Sequence, residues 1–147
     1  MSDIEIVSGN KKIIGYTTGV FDMFHIGHLN ILRRAKERCD YLIVGVSTDD
    51  VVVSYKGKAP VIPYEERRAI IEAIKYVDLV VPQTSMNKME AYQELHFDVL
   101  FHGSDWKGSD MYNKIVQDFK AVGVEVIFLP HTQGISSTML KEKIDKK

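Results

Sequence analysis

The stretch Ile13-Ile14-Gly15-Tyr16-Thr17-Thr18-Gly19-Val20-Phe21-Asp22-Met23-Phe24-His25-Ile26-Gly27-His28 decides the fold. Its first six residues suit a buried strand, and the Gly19–His25 segment breaks that pattern as a loop. From Ile26 to Arg38 the apolar residues Ile26, Leu29, Leu32 and Ala35 recur at helical spacing. Arg33, Arg34, Lys36 and Arg38 gather toward the end of that helix, where its dipole favours cations. Tyr41 to Ser47 is almost wholly apolar and rich in Ile and Val, as in a parallel strand covered on both faces. Two such strands around one helix form a βαβ unit.

Working outward, the alternation continues. A loop runs to Pro63, Tyr64 to Tyr76 is predicted as a helix with Ile70, Ile71 and Ile74 in its apolar stripe, and Leu79-Val80-Val81 is a short strand stopped by Pro82. Lys88–Leu95 reads as a short helix, Phe97–His102 as the fourth strand, Met111–Val122 as a helix, Val124–Leu129 as the fifth strand and Ser136–Ile144 as the closing helix. Five strands alternating with five helices imply an α/β, Rossmann-like, doubly wound five-stranded parallel sheet, expected in the order 3-2-1-4-5. At 147 residues there is room for one domain, placed at 13–147 after an N-terminal extension of 1–12.

Composition narrows the function. The chain carries 19 Lys and Arg against 20 Asp and Glu, a net charge of −1, with 45% hydrophobic residues. A neutral surface of this kind lacks the basic field that nucleic acids or anionic membranes require, so any phosphate site must be local. The single cysteine, Cys39, allows no intramolecular disulfide and no Cys-rich zinc site. With no apolar run long enough for a signal peptide or a membrane span, a cytoplasmic setting is expected.

In doubly wound sheets, ligands bind beyond the carboxyl ends of the strands, where the strand order reverses. The loops in those places are Gly19–His28, Gly103–Ser109 and Pro130–Ser137. In the first, His25 and His28 flank Gly27 at a helix start. Helix N-termini bind phosphate because unsatisfied N–H donors and the positive dipole end point the same way, and a glycine lets the backbone come close. A zinc site at this spacing would find only Asp22 as a third ligand. Lys56-Gly57-Lys58 adds cations in a glycine-containing loop, and Arg67 lies near a helix start, where the dipole disfavours it, so its charge needs a specific partner. Gly134-Ile135-Ser136-Ser137-Thr138 opens the last helix with three consecutive hydroxyls, more than an N-cap requires.

The segment from His25 to His28 resembles the His-x-Gly-His signature of the nucleotidylyltransferase superfamily. Its surroundings are similar to the cytidylyltransferases that activate alcohol phosphates, the glycerol-3-phosphate type above all. Gly19-Val20-Phe21-Asp22, Asp40-Tyr41-Leu42, Ser47-Thr48-Asp49, Lys56-Gly57-Lys58, Glu66-Arg67, Tyr76-Val77-Asp78, Gly103-Ser104-Asp105-Trp106 and Gly134-Ile135-Ser136-Ser137-Thr138 follow in the family's order. The resemblance implies transfer of CMP from CTP to a small phosphorylated alcohol with loss of pyrophosphate, for polymer or capsule synthesis. It also implies Mg2+ or another divalent ion carried by the triphosphate, and a homodimer.

The resemblance further implies catalytic roles for His25, His28, Lys56 and Arg67. It implies nucleotide contacts from Gly19, Val20, Phe21, Gly27, Lys58, Asp105, Trp106, His131, Thr132, Gly134, Ile135, Ser136, Ser137 and Thr138. Lys56 and Lys88 are the candidates for the acceptor. The last motif reads His131-Thr132-Gln133-Gly134 where relatives usually carry Arg-Thr-Glu-Gly, so His131 supplies charge there only while protonated. The alternatives are an adenylyltransferase of the same superfamily, since a helix N-terminus does not read the base, and a non-catalytic nucleotide-binding subunit.

Overall fold

The computed structural model describes residues 12–103 and 108–130. In chain order these form β1 (Ile14–Gly19), α1 (Ile26–Glu37), β2 (Tyr41–Ser47), α2 (Asp49–Lys56), α3 (Tyr64–Glu72), β3 (Leu79–Gln83), α4 (Lys88–Leu95), β4 (Val99–Gly103), α5 (Asp110–Lys120) and β5 (Glu125–Leu129). The strands make one parallel sheet in the order β3-β2-β1-β4-β5, as expected. The order reverses between β1 and β4, so the crevice predicted for a ligand opens above those two strands.

Both faces of the sheet are covered, which is why β2 reads as a continuous apolar run. Leu42, Val44 and Val46 face a core shared with Leu32 and Ala35 of α1, Ile71 of α3 and Phe101. Ile43 points the other way, into a core with Tyr16, Phe97, Leu100 and Phe119. Three aspartates pin the amino ends of the strands. Asp40 accepts the Ile13 N–H at 2.7 Å, Asp98 the Ile14 N–H at 2.9 Å, and Asp78 the Leu42 N–H at 2.8 Å while also pairing with Lys36. The motifs around Asp40 and Asp78 therefore brace the end of the sheet opposite the crevice.

Three expectations about elements need correction. The segment after β2, read as a loop to Pro63, contains the helix α2. Its Val51-Val52-Val53 run disfavours a helix locally. Thr48 caps it, however, by accepting the Val51 N–H, Asp49 and Asp50 sit in its first turn, and Val51 and Val52 are buried. Gly57 ends α2 with φ at +81°, a conformation that favours glycine.

Pro82 does not stop β3, which runs through it to Gln83. Within the described sheet β3 is an edge strand bonded only to β2, where a missing N–H costs no ladder bond. The helix expected over 64–76 ends at Glu72, and residues 73–77 continue as tight turns with N–H to C=O bonds three residues apart. The predicted closing helix over Ser136–Ile144 and residues 1–11 of the predicted extension lie outside the described residues. Among the described residues no helix is long and apolar enough to cross a membrane.

Candidate functional site

The loop from Val20 to His25 is strained and heavily anchored. Phe21 and Met23 both take positive φ, at 55° and 51°, without being glycine. The Phe21 ring folds over Gly19, where an added Cβ would meet it at 2.9 Å, so the glycine serves that packing. Asp22 holds the loop in place. Its carboxylate, 6% exposed, accepts the Val61 N–H at 2.8 Å and the Ile62 N–H at 2.9 Å. This ties the histidine loop to the segment that follows Lys58. The sequence reading gave Asp22 no role beyond a third zinc ligand and a place in the Gly19-Val20-Phe21-Asp22 motif, because partners 39 and 40 residues away leave no local trace.

The two histidines do more than sit at a helix start. His25 is the N-cap of α1 and its Nδ1 accepts the Gly27 N–H at 3.0 Å, while Nδ1 of His28 accepts the His25 N–H at 3.1 Å. The rings stack with centroids 3.9 Å apart. A nitrogen that accepts carries no proton, so this reciprocal cap fixes both imidazoles with their proton on Nε2. The helix N–H groups expected to meet phosphate are thus partly consumed, and the imidazoles convert them into side-chain donors at Nε2. Burial, reinforced by the neighbouring His25 and opposed by Asp22, lowers the His28 pKa to about 4. His28, packed between Phe21 and Phe24, is a neutral donor throughout the physiological range.

Arg67, expected among the catalytic residues, is a structural hub. It is 1% exposed. Its Nε donates to the Ile62 carbonyl, one terminal nitrogen donates to both the Val20 and Ser47 carbonyls, and the other pairs with Asp49 at 2.6 Å. Four of its five N–H donors are spent on protein acceptors. These bonds join the histidine loop, the end of β2, the start of α2 and the loop before α3. Arg67 accordingly has the specific partner that its unfavourable place near a helix start required.

Lys56 is exposed at the end of α2, where the dipole favours it, with its ammonium 5.9 Å from the Tyr55 ring centroid, and Lys58 is exposed just past Gly57. Lys88 is different. It is the first residue of α4, 6% exposed, and no carboxylate or carbonyl among the described residues pairs with it. Burial pulls its pKa down to about 8. It helps line a cavity of about 280 Å³ with Gln83, Thr84, Ser85 and Asn87, the segment in which the sequence offered only a lysine, and with the carboxylates Glu90 and Glu94 of α4.

Two residues near Lys88 escaped the sequence reading. His102, at the carboxyl end of β4, shares a hydrogen bond through Nε2 with the Tyr112 hydroxyl of α5. The Lys88 ammonium lies 6.0 Å from the Tyr112 ring centroid. A histidine at the end of a switch-point strand was a readable signal, whereas its tyrosine partner on the next helix was not. The sequence candidates Asp105, Trp106, His131, Thr132, Gly134, Ile135, Ser136, Ser137 and Thr138 lie outside the described residues.

Comparison with known proteins agrees with this arrangement. The chain is 41% identical over 135 residues to a glycerol-3-phosphate cytidylyltransferase of Bacillus subtilis, covering 91% of this chain and 97% of that protein. It is 39% identical to the Staphylococcus aureus enzyme of the same name, covering 91% and 95%. Among solved structures, a lipopolysaccharide core biosynthesis protein from Thermoplasma volcanium superposes with a TM-score of 0.69 at 27% identity, over 82% of this chain and 97% of that one. From Tyr16 of β1 onward, the switch-point sheet, the histidine-capped helix and the lysines after β2 and β3 all fall within residues 16–143, which match the cytidylyltransferase-like model, and to that family the chain belongs.

Proposed function

We propose that this protein is a CTP-dependent glycerol-3-phosphate cytidylyltransferase, transferring CMP to the acceptor and releasing pyrophosphate. The observation that carries this is the nearly end-to-end match, at about 40% identity, to enzymes of that name. The site chemistry supports it. In-line displacement at the α-phosphorus builds charge on the equatorial oxygens and on the departing pyrophosphate, so catalysis consists mainly of positioning and charge stabilisation. The nucleophile is an acceptor phosphate oxygen, which is largely ionised near neutral pH and needs no general base.

His25 and His28 fit this task as fixed Nε2–H donors, because the reciprocal cap holds them in one tautomer before any substrate arrives. In this reading Lys56 and Lys58 meet the triphosphate and Lys88 meets the acceptor's phosphate. A buried ammonium at a helix N-terminus, with no carboxylate paired to it among the described residues, is an unfavourable arrangement that an anionic ligand would relieve. Asp22 and Arg67 position the loops.

Among the described residues no group of three or more His, Cys, Asp or Glu could hold a metal ion. In this reading a divalent ion is carried by the triphosphate oxygens, whose charge it would neutralise. The decisive experiment is a pyrophosphate-release assay with CTP or ATP against glycerol-3-phosphate, ethanolamine phosphate and other phosphorylated alcohols. Turnover with CTP and glycerol-3-phosphate, with CDP-glycerol identified by mass, is the expected result. Turnover with ATP only would overturn the CTP assignment, and nucleotide binding without turnover on any acceptor would overturn the enzymatic one.

A further inference from the structure

Lys88, His102 and Tyr112 come from three elements, α4, β4 and α5, and meet at the point where the strand order reverses. Each makes a demand that the next one meets. The Lys88 ammonium is buried at the positive end of a helix, and the nearby Tyr112 ring offers it a π-face at 6.0 Å. Tyr112 is 3% exposed, so its hydroxyl needs a partner, and His102 is that partner. His102 must stay neutral beside a lysine, and burial together with Lys88 holds its pKa down to about 3. Tyr55 of α2 is also close enough to Tyr112 to act on its ionisation, which brings the Lys56 end of α2 toward the same crevice.

We propose that Tyr112, locked in place by His102, is a positioning residue that holds the Lys88 ammonium for the acceptor, and so tunes selection of a phosphorylated alcohol over its unphosphorylated form. This rests on the reading that Lys88 meets the acceptor's phosphate. Neither Tyr112 nor His102 touches the reacting atoms. Both act through the lysine. The ring supplies attraction without neutralising the charge, which a carboxylate in its place would do, and the cation remains available to an incoming phosphate.

The test is a double-mutant cycle on the full chain. Glycerol-3-phosphate binding is measured by calorimetry, and KM for acceptor and for CTP by pyrophosphate release, in Lys88→Met, Tyr112→Leu, Tyr112→Phe and the double variant Lys88→Met with Tyr112→Leu. Tyr112→Leu should weaken acceptor binding by roughly 3- to 30-fold, the range of a cation–π contact of this kind, and leave KM for CTP within about twofold. In the Lys88→Met background the same change should have almost no effect. Tyr112→Phe, which keeps the ring and is the safer variant for folding, should show a smaller loss, again confined to the acceptor.

If Lys88→Met weakens acceptor binding but Tyr112→Leu does not, or weakens it equally in the Lys88→Met background, the positioning role is wrong while the reading of Lys88 stands. If Lys88→Met leaves acceptor binding unchanged, the reading of Lys88 is wrong and the positioning role falls with it. Equal losses for CTP and acceptor in Tyr112→Phe would reduce Tyr112 to a structural residue.

Discussion

Two buried cations, Arg67 and Lys88, occupy the same fold and serve opposite ends. Arg67 is 1% exposed, yet three carbonyls and the Asp49 carboxylate receive four of its donors. Lys88 is 6% exposed and has an aromatic face beside it but, among the described residues, no carboxylate in ion-pair contact, Glu90 and Glu94 lining the same cavity without pairing with it. A planar fork with fixed donors can be satisfied entirely by backbone, and once satisfied it is part of the scaffold. A single ammonium left without an anion carries a cost that a ligand can remove. Burial alone therefore does not separate structural from functional charge, and the partners do.

The largest expected effect would test that contrast directly. Arg67→Met should lower stability by about 3–5 kcal/mol in denaturant unfolding, because it leaves three carbonyls without their donor around an apolar side chain. Lys88→Met should leave stability unchanged or raise it slightly. Equal destabilisation by the two would erase the distinction.

Next come the exposed lysines. Lys56→Ala should cost about 2–4 kcal/mol of transition-state stabilisation, read from kcat/KM, whereas Lys120→Ala on α5 should cost almost nothing. Similar losses at both positions would mean that Lys56 is merely a solvated helix end. Close behind is His28→Ala, for which turnover should fall by roughly 10² through loss of one fixed donor. Its stability should fall by only about 1 kcal/mol, the scale of a lost cap. A larger loss of stability than of activity would move His28 to the scaffold side of the comparison, next to Arg67.

The remaining effects are in pH. His28 and His102 have folded pKa values of about 4 and about 3, below the ordinary 6.5. Between those limits the unfolded chain binds more protons than the folded one. Stability contributed by keeping these rings neutral is complete above about pH 6.5 and is lost as pH falls toward 4 and then 3, with a slope approaching about 1.4 kcal/mol per pH unit for each ring. His28→Gln should remove one ring's share of the slope, which unfolding at several pH values would read out. Lys88 runs the other way. With a folded pKa of about 8 against the ordinary 10.5, the penalty of its buried charge fades as pH rises through 8, so stability gains there while acceptor affinity declines. A parallel rise of both would remove Lys88 from the acceptor site.

How much of this could be read in advance differs between scaffold and site. The strands, their order and the position of the crevice were legible because a doubly covered parallel sheet leaves long apolar runs such as Tyr41–Ser47, and a helix leaves its spacing in Ile26, Leu29, Leu32 and Ala35. The histidine pair was legible for its place after β1. Helix α2 was not, since its valines favour a strand and only their burial against the rest of the fold settles them as a helix.

By itself, then, the sequence determined the periodicities, the loop that carries His25 and His28, and the absence of a general basic surface, all of which depend on residues close together in the chain. Only the tertiary structure decided that the histidines cap one helix reciprocally with their protons on Nε2. Only it decided that Asp22 reaches Val61 and Ile62, that Arg67 is spent on four acceptors, and that Lys88 rests beside a tyrosine held by His102. The physical reason is range. Hydrophobic periodicity repeats every two to four residues and is written locally, whereas the partner that satisfies a buried charge or a loop carboxylate can lie tens of residues away and is chosen only when the chain has folded.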